Sequence, residues 1–263
     1  MENNIPLPYW AIIPAAGVGS RMQSNTPKQY LTLAGKTILQ HTLDIFIQHP
    51  SIQGIVLSIS EGDAYWAELE TELINNSHKP ILIAKGGRQR SDSVLSALLL
   101  LQQSLQQSLQ QSLQASLQSK LQEKAQTDAW VFVHDAARPC LLATDIDKLI
   151  KQLNHTQIGV LLGLPVHDTL KRCNSLQQVE TTICREFMWR ALTPQIFKLL
   201  TLIKALQLAQ THPPKIAITD ESSAIELLGL KPSIIAGDSN NIKITRPEDL
   251  TQAEQFLKGL TNL

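Results

Sequence analysis

The chain has 263 residues, of which 43% are hydrophobic and 17% charged, so it is long enough to bury a full core as one large domain. Its 23 basic residues balance its 23 acidic ones, so net charge favours neither nucleic acid nor an anionic membrane as a partner. The sequence has no membrane-length apolar stretch, no signal-peptide pattern and three cysteines without metal-ligand spacing, which together predict a cytoplasmic protein with reduced thiols.

Short apolar runs alternate along the chain with stretches of helical spacing. The expected strands are the run that begins at Trp10 and residues 54–59, 80–84, 129–133 and 159–164, and the clearest helices cover residues 37–48 and 144–153. This alternation predicts an α/β protein with a mainly parallel sheet. Ligands of such sheets bind at the carboxyl ends of the strands. The rule selects the loop after the first strand and the pair His134-Asp135 after the fourth.

The loop after the first strand is rich in small residues and is followed by two cations. Gly17 and Gly19 would leave backbone N–H groups open to a phosphate, and Arg21 and Lys28 would neutralise its charge. Met22 excludes both the dinucleotide-binding fingerprint and the P-loop, since each needs a smaller residue at that position. A Gly-x-Gly sequence is also typical of an ordinary turn, so the loop alone leaves both interpretations open.

Three further segments carry candidate ligand residues. Asp135 follows a buried strand, where a carboxylate suits Mg²⁺ but is also typical of a turn. The segment 85–93, Lys-Gly-Gly-Arg-Gln-Arg-Ser-Asp-Ser, is expected to bind a base edge, to cap the following helix, or to do both. Thr219 remains available as a ligand, because a helix start fully explains the acids Asp220 and Glu221 that follow it.

The C-terminal motif combines a helix start with a candidate anion ligand. Thr245 and Glu248 are expected to form a capping box, with Pro247 in the first turn of a helix that ends near Gly259. Lys243 is expected to end a short strand just before this helix. Because the capping box does not need it, Lys243 is a candidate ligand for an anion.

A Leu-Gln-Gln-Ser repeat places a leucine at every fourth position from Leu101 to Leu121. A helix turns by about 100° per residue, so the leucine stripe advances by about 40° per repeat and cannot stay on one straight face. We therefore expect a low-complexity helical insertion over residues 101–124, which extends a helix that begins near Ser91. A coiled-coil or partner-binding role is the alternative.

Seven motifs together resemble the 2-C-methyl-D-erythritol 4-phosphate cytidylyltransferase family and span nearly the whole chain. They are Pro14-Ala-Ala-Gly-x-Gly-x-Arg21-Met22, Pro27-Lys28-Gln29-Tyr30, Gly86-Gly87-x-x-Arg90-x-x-Ser93-Val94, His134-Asp135-Ala-Ala-Arg138-Pro139, Ala191-Leu-Thr-Pro-Gln195, Thr219-Asp220-Glu221 and Asn241-Ile-Lys243-Ile-Thr-Arg-Pro-Glu-Asp249. Several of these motifs are shared with ribitol-5-phosphate cytidylyltransferases. The acceptor alcohol phosphate is therefore the least specific part of the resemblance.

The resemblance implies a single Rossmann-like nucleotidyltransferase domain over residues 1–263, with helices on both faces of the sheet. It also implies a homodimer, in which a β-arm at 165–189 wraps over the partner. The reaction would convert CTP and 2-C-methyl-D-erythritol 4-phosphate to CDP-methylerythritol and pyrophosphate with Mg²⁺, a step of isoprenoid precursor biosynthesis. Two other functions stay open, namely a ribitol-5-phosphate or other sugar-phosphate cytidylyltransferase and a non-catalytic CTP-binding scaffold.

The resemblance also assigns roles to individual residues. Catalysis would depend on Arg21, Lys28 and Lys243, and Asp135 would bind Mg²⁺. The residues that contact the nucleotide would be Ala15, Ala16, Gly17, Gly19, Gly87 and Ser93. The acceptor would be held by Arg138, Thr193, Thr219 and Lys243 of one subunit, and by Thr169 and Arg185 of the other. Arg88 departs from the family pattern, in which an acid is frequent, but the contact there is largely through backbone and CTP preference is expected to survive.

Overall fold

The computed structural model describes residues 7–17, 22, 26–116, 128–211 and 217–261. Its strands are β1 (Tyr9–Pro14), β2 (Thr32–Leu33), β3 (Lys36–Thr37), β4 (Ile52–Ile59), β5 (Ile81–Lys85), β6 (Trp130–Val133), β7 (Gly159–Pro165), β8 (Leu170–Cys173), β9 (Val179–Ile183), β10 (Trp189–Lys198) and β11 (Ser233–Ala236). Its α-helices are α1 (Ile38–Gln48), α2 (Ala64–Asn76), α3 (Arg90–Ser116), α4 (Ala143–Gln152), α5 (Leu199–Thr211), α6 (Glu221–Glu226) and α7 (Pro247–Thr261).

Seven of these strands form one central sheet in the order β11-β7-β10-β6-β1-β4-β5. Every pairing in it is parallel except those of β10, which runs antiparallel to both β6 and β7. The five strands predicted from the sequence are β1, β4, β5, β6 and β7, so the α/β class and the mainly parallel sheet are confirmed. The antiparallel strand β10 and the edge strand β11 were not predicted.

Both faces of the sheet are covered by helices, as expected. Side chains alternate along β1, so Ala11 and Ile13 pack on the face covered by α1, α2 and α4. Trp10 and Ile12 pack on the opposite face, under α3, α5 and α6. Burial of apolar residues on both faces explains why the central strands read as continuous hydrophobic runs in the sequence.

The helix starts that the sequence signals well are α1 and α6. Thr37 accepts a hydrogen bond from the backbone of Gln40, whose side chain accepts one from the backbone of Thr37. The capping box expected at Glu248, however, is wrong. Asp249 Oδ2 instead accepts from the backbone N–H groups of Thr245 and Arg246, at 2.7 and 2.9 Å. The helix that follows, α7, continues through the expected end near Gly259 to Thr261.

The short strand expected to end at Lys243 is also wrong, because residues 240–245 form no strand. The backbone N–H of Ile244 donates to Ala137 O at 2.8 Å, and the Asn241 side chain donates to Thr193 O at 2.8 Å. This segment is therefore attached to the loop after β6 and to β10 rather than to the sheet edge. Its path brings Lys243 next to the carboxyl ends of the central strands.

A hairpin of β8 and β9 projects from the sheet within the region 165–189, where the β-arm was expected. The region exposes apolar side chains, among them Phe187, which follows β9 and is 88% exposed. A two-stranded hairpin without further packing is only marginally stable in water. The arm therefore has the properties of an element that packs against a second surface, and its predicted role in dimerisation stays a prediction.

The Leu-Gln-Gln-Ser repeat begins as the continuation of α3, and in the described part of the chain it is helical to Ser116. Leu101 is fully buried in the core, Leu105 is half-buried against it, and the residues between Leu105 and Gln111 are half-buried or exposed. The stripe thus leaves the core, as its drift predicts. The rest of the expected insertion to residue 124 lies outside the described residues.

Among the described helices, none combines the length and the apolar character that a membrane span requires.

Candidate active site

A first cleft opens where β1, β5 and β6 end, at the carboxyl edge of the sheet. It is lined by residues 14–17, Lys28, Gln29, 87–90, Ser93, 135–137 and Lys243. The start of the loop after β1 is attached to the end of β4, because Ala15 N donates to Ser58 O and Ser60 Oγ donates to Ala16 O. A Cβ atom at Gly17 would meet no atom of the described residues within 4 Å, so packing among the described residues does not require glycine there.

The glycine pair after β5 allows close backbone packing. A Cβ at Gly86 would lie 2.2 Å from the Cβ of Ala16, and one at Gly87 would lie 2.3 Å from the Cβ of Asp92. Gly87 N donates to Ser93 Oγ at 3.0 Å, and the Ser93 hydroxyl donates to Gln89 O at 3.2 Å. These bonds fix the turn that precedes α3, but neither caps a free N–H group of that helix, so the capping role expected for the segment stays a prediction. Nucleotide binding by Gly87 and Ser93 stays a prediction.

Lys28 begins a 3-10 turn that is attached to the protein by its next two residues. Gln29 is buried and donates through Nε2 to Ala15 O at 2.7 Å. Tyr30 donates through its hydroxyl to Asp63 Oδ2 at 2.9 Å, and burial raises its pKa, with Asp63 adding to the rise. These two anchors place Lys28 at the rim of the β1 loop, and the sequence reasoning assigned neither of them a role.

The Lys28 ammonium donates to Ile244 O at 3.2 Å, directly beside Lys243. The two lysines expected to be catalytic therefore both line the first cleft, and the Lys28 side chain contacts the backbone next to Lys243. Arg21 and Gly19, which the same predictions include, lie outside the described residues.

Asp135 is surrounded by three cations. Its Oδ1 accepts from Arg90 Nε at 2.8 Å, and its Oδ2 lies 2.9 Å from Lys243 Nζ and 3.3 Å from Arg138 Nε. Burial alone would raise the pKa of this carboxyl, but Arg90, Lys243 and Arg138 hold it well below its usual range. Asp135 is therefore ionised throughout the physiological pH range.

Arg90 forms a second, bidentate ion pair with Glu221, whose side chain is almost fully buried. NH1 and NH2 of Arg90 lie 2.5 and 3.2 Å from the two carboxylate oxygens of Glu221. Burial would lower the pKa of Arg90, but Glu221 and then Asp135 raise it above the ordinary value. The sequence reasoning missed this pair, because a helix start was sufficient to explain an acid at position 221.

A second cleft lies on the other side of Asp135. It is lined by Arg90, Asp135, Arg138, 191–193, Gln195, Thr219, Asp220 and Lys243. Four of the six residues predicted to hold the acceptor, Arg138, Thr193, Thr219 and Lys243, thus lie together. The other two, Thr169 and Arg185, are on the exposed arm and line neither cleft of the described chain, and the Arg185 guanidinium donates to His167 O.

Thr193 takes part in a chain of hydrogen bonds that determines the direction of its hydroxyl proton. Asp135 N donates to Thr193 Oγ1 at 3.2 Å, which leaves the hydroxyl to donate to His134 Nδ1 at 3.0 Å. His134 then donates from Nε2 to Arg138 O at 3.1 Å, a tautomer inferred from these partners. Burial lowers the pKa of His134 to about 4, so its imidazole is neutral. Thr193 can therefore accept one further hydrogen bond from a ligand.

The fold and the site define the class of the protein. A small-residue loop, an ionised carboxylate among three cations and a cleft on either side of it lie at the carboxyl edge of a mainly parallel sheet. This arrangement is that of an α/β nucleotidyltransferase.

Comparison with known families identifies the group within that class. The family model described as "IspD: 2-C-methyl-D-erythritol 4-phosphate cytidylyltransferase" matches residues 9–111 and 106–259. The chain belongs to this family.

Relatives and solved structures agree with this result. Proteins named 2-C-methyl-D-erythritol 4-phosphate cytidylyltransferase from Pseudomonas putida KT2440 and Vibrio vulnificus YJ016 are 46% and 44% identical, over 95% and 94% of this chain and 96% and 93% of their own length. The crystal structure of a 4-diphosphocytidyl-2C-methyl-D-erythritol synthase superposes with a TM-score of 0.75 at 33% identity, covering 97% of this chain and all of that one. The Francisella tularensis cytidylyltransferase gives a TM-score of 0.70 at 32% identity, covering 95% of this chain and 99% of that one.

Proposed function

We propose that this protein transfers CMP from CTP to 2-C-methyl-D-erythritol 4-phosphate and releases pyrophosphate. One observation carries the proposal, namely that the first and second clefts share Arg90, Asp135 and Lys243. A nucleotide in the first cleft and an acceptor phosphate in the second would meet at this shared wall. The names of the relatives supply the identity of the two substrates.

In the first cleft, the backbone of Ala15, Ala16 and Gly17 and the Gly87–Ser93 turn would surround the nucleotide. Their place on the lining of this cleft supports the proposal. Gly19 and Arg21, which lie outside the described residues, are proposed to bind the triphosphate as the family resemblance implies. Lys28, held at the loop rim, would neutralise charge on the reacting phosphate.

In the second cleft, Arg138 and Lys243 would bind the acceptor phosphate. Thr193, whose proton is donated to His134, would accept a hydrogen bond from a polyol hydroxyl. Thr219 is exposed at the mouth of this cleft and would contact the same ligand.

The reaction joins two anions, and charge is the main obstacle. An oxygen of the acceptor phosphate attacks the α-phosphorus of CTP in line, the new P–O bond forms, and the bond to pyrophosphate breaks. Two unit charges about 4 Å apart repel by roughly 4 kcal/mol at an effective dielectric near 20, and both reactants carry several charges. Lys28, Lys243 and Arg21 would offset this repulsion as the transition state forms. A phosphate nucleophile is already ionised at neutral pH, so the mechanism needs no strong general base.

The donor set fits a magnesium ion that is bound mainly by the nucleotide. In the described part of the chain no group of three His, Cys, Asp or Glu side chains could hold a metal by itself. Asp135 Oδ1 accepts from Arg90 and keeps a lone pair free. Mg²⁺ is typically bound by one or two carboxylates together with substrate phosphates and water. When bound there, it would neutralise phosphate charge, and Asp135 would keep it near Arg90, Arg138 and Lys243.

The acceptor site would be completed by a second subunit. Thr169 and Arg185 lie on the exposed arm and away from the clefts of their own chain, so they would reach the clefts of a partner. The apolar residues on the arm, which include Phe187, support a homodimer. Within this proposal the enzyme works in the cytoplasm.

Pyrophosphate release from CTP tests the function. With 2-C-methyl-D-erythritol 4-phosphate and Mg²⁺ we expect steady turnover, and with ribitol 5-phosphate or other sugar phosphates at least a hundredfold lower kcat/KM. Comparable turnover of ribitol 5-phosphate would assign the protein to the sister activity. Binding of CTP without turnover of any acceptor would support the scaffold alternative.

The Leu-Gln-Gln-Ser repeat is proposed to be a surface insertion without a role in catalysis. The two segments that match the family model overlap at residues 106–111, inside the repeat. Excision of residues 104–117 removes fourteen residues, close to four helical turns, and preserves the helical phase. We expect kcat/KM to stay within about threefold and the dimer to stay intact by light scattering. An inactive or monomeric product would make the repeat part of an interface.

A further inference from the structure

Arg90 and Glu221 form an ion pair that the mechanism above does not use. The pair is bidentate, with N–O distances of 2.5 and 3.2 Å, and Glu221 is only 1% exposed. Arg90 uses its remaining nitrogen, Nε, to donate to Asp135 Oδ1 at 2.8 Å. One guanidinium thus holds two carboxylates in fixed relative positions.

The pair joins the two clefts through the backbone. Arg90 is the first residue of α3 and follows the Gly87 turn of the first cleft. Glu221 is the first residue of α6 and follows Thr219, which lines the second cleft. Contact between the two side chains therefore fixes the start of one helix relative to the start of the other.

The first turn of α6 has a second anchor on β10. Gln195 donates through Nε2 to Asp220 Oδ2 and accepts through Oε1 from Ser222 N, both at 2.8 Å. Gln195 and Arg90 thus both bind residues of this turn. The position of Thr219 in the second cleft depends on both anchors.

We propose that Arg90 and Glu221 are positioning residues for the acceptor site, a proposal that rests on the cytidylyl transfer proposed above. Glu221 orients the guanidinium so that Nε faces Asp135, and Arg90 in turn holds the first turn of α6 beside the acceptor. Arg90 directs all three of its nitrogens at the carboxylates of Glu221 and Asp135, so we do not assign it a further role as a phosphate-binding cation. A lysine at this position lacks the planar fork that makes three directed contacts at once.

The test compares acceptor kinetics with nucleotide binding in Glu221→Gln, Glu221→Asp and Arg90→Lys. For Glu221→Gln and Arg90→Lys we expect kcat/KM for the acceptor phosphate to fall about tenfold, mainly through KM. The Kd for CTP, measured by calorimetry without acceptor, should stay within about threefold. Glu221→Asp keeps the charge and should recover at least a third of wild-type kcat/KM. The control Glu254→Gln removes an acid from an exposed ion pair on α7 and should change neither quantity.

The double variant Arg90→Lys/Glu221→Gln tests whether the two residues act as one unit. Its loss should exceed that of the worse single variant by no more than about twofold, whereas independent effects would multiply to about a hundredfold. A multiplied loss overturns the proposal. The proposal is also overturned if the variants have a lower Tm but an unchanged ratio of acceptor KM to CTP Kd. That result is expected of an ion pair that only stabilises the fold.

Two further outcomes are distinguishable. If Glu221→Gln shows no cooperative thermal transition, the variant is not folded. The ratio of acceptor KM to CTP Kd in Glu221→Asp and Arg90→Lys then decides the proposal. If the wild-type protein itself releases no pyrophosphate with 2-C-methyl-D-erythritol 4-phosphate, the proposed function fails, and the positioning proposal, which rests on it, falls with it. Turnover by the wild type with unchanged acceptor KM in all three variants overturns the positioning role alone.

Discussion

Replacing Lys28 with alanine is expected to lower kcat about a hundredfold while leaving CTP affinity within about threefold. The ammonium lies at the rim of the β1 loop and is placed there by the anchors Gln29 and Tyr30. Its charge matters most when the pentacoordinate phosphorus forms, and one such contact is typically worth about 3 kcal/mol in the transition state. Single-turnover and steady-state kinetics with calorimetric CTP binding will separate the two effects. We expect the same result for Arg21→Ala.

The matched control is Lys36→Ala, which removes a lysine whose partner is Asp44 on the protein surface. Exposed ion pairs contribute little, so this variant should keep wild-type kcat. If Lys28→Ala retains more than about half of the wild-type kcat, the catalytic role proposed for Lys28 is wrong.

Mixing two inactive homodimers is expected to restore about a quarter of wild-type activity. Arg185→Ala damages the arm and leaves the first cleft intact, whereas Lys28→Ala damages the cleft and leaves the arm intact. If the acceptor site is completed by the partner subunit, one site of a heterodimer combines an intact cleft with an intact arm. The other site combines the damaged cleft with the damaged arm. With random pairing, half of the dimers are mixed and half of their sites work, provided that the sites are independent.

The experiment uses refolding from denaturant, with heterodimers counted by differential tagging. Arg172→Ala on β8 is the control, since it removes an exposed arginine of the same arm without a proposed contact to substrate. Recovery no greater than that of the parent variants, with heterodimers present, would show that Arg185 acts within its own subunit.

Local patterns in the sequence were sufficient to predict the sheet class and the position of the first cleft. The apolar runs of β1, β4, β6 and β7 are largely buried, the edge strand β5 is only partly buried, and small residues after β1 mark the loop at the carboxyl edge. Of the acceptor residues, Arg138 and Thr193 were assigned through the family resemblance, and the structure places both in the second cleft. How they bind substrate stays a prediction.

Long-range partners could not be predicted in the same way. Arg90 and Glu221 are separated by 131 positions, and the local sequence around either residue does not predict their contact. The alternating sequence Ile-Lys-Ile around Lys243 favours a strand, but its backbone bonds to Ala137 instead. Glu248 and Asp249 are neighbouring acids at one helix start, and only the observed backbone path decides that Asp249 is the cap.

The protonation states of His134 and Asp135 have a consequence for how the protein responds to its surroundings. Burial keeps the imidazole neutral down to a pKa of about 4, and three cations keep the carboxyl ionised well below that. Neither group changes charge between about pH 5 and 9. A monoester phosphate, by contrast, loses its second proton near pH 6. Moderate acidification would therefore add a proton to the acceptor phosphate, while these two groups of the protein keep their charge states.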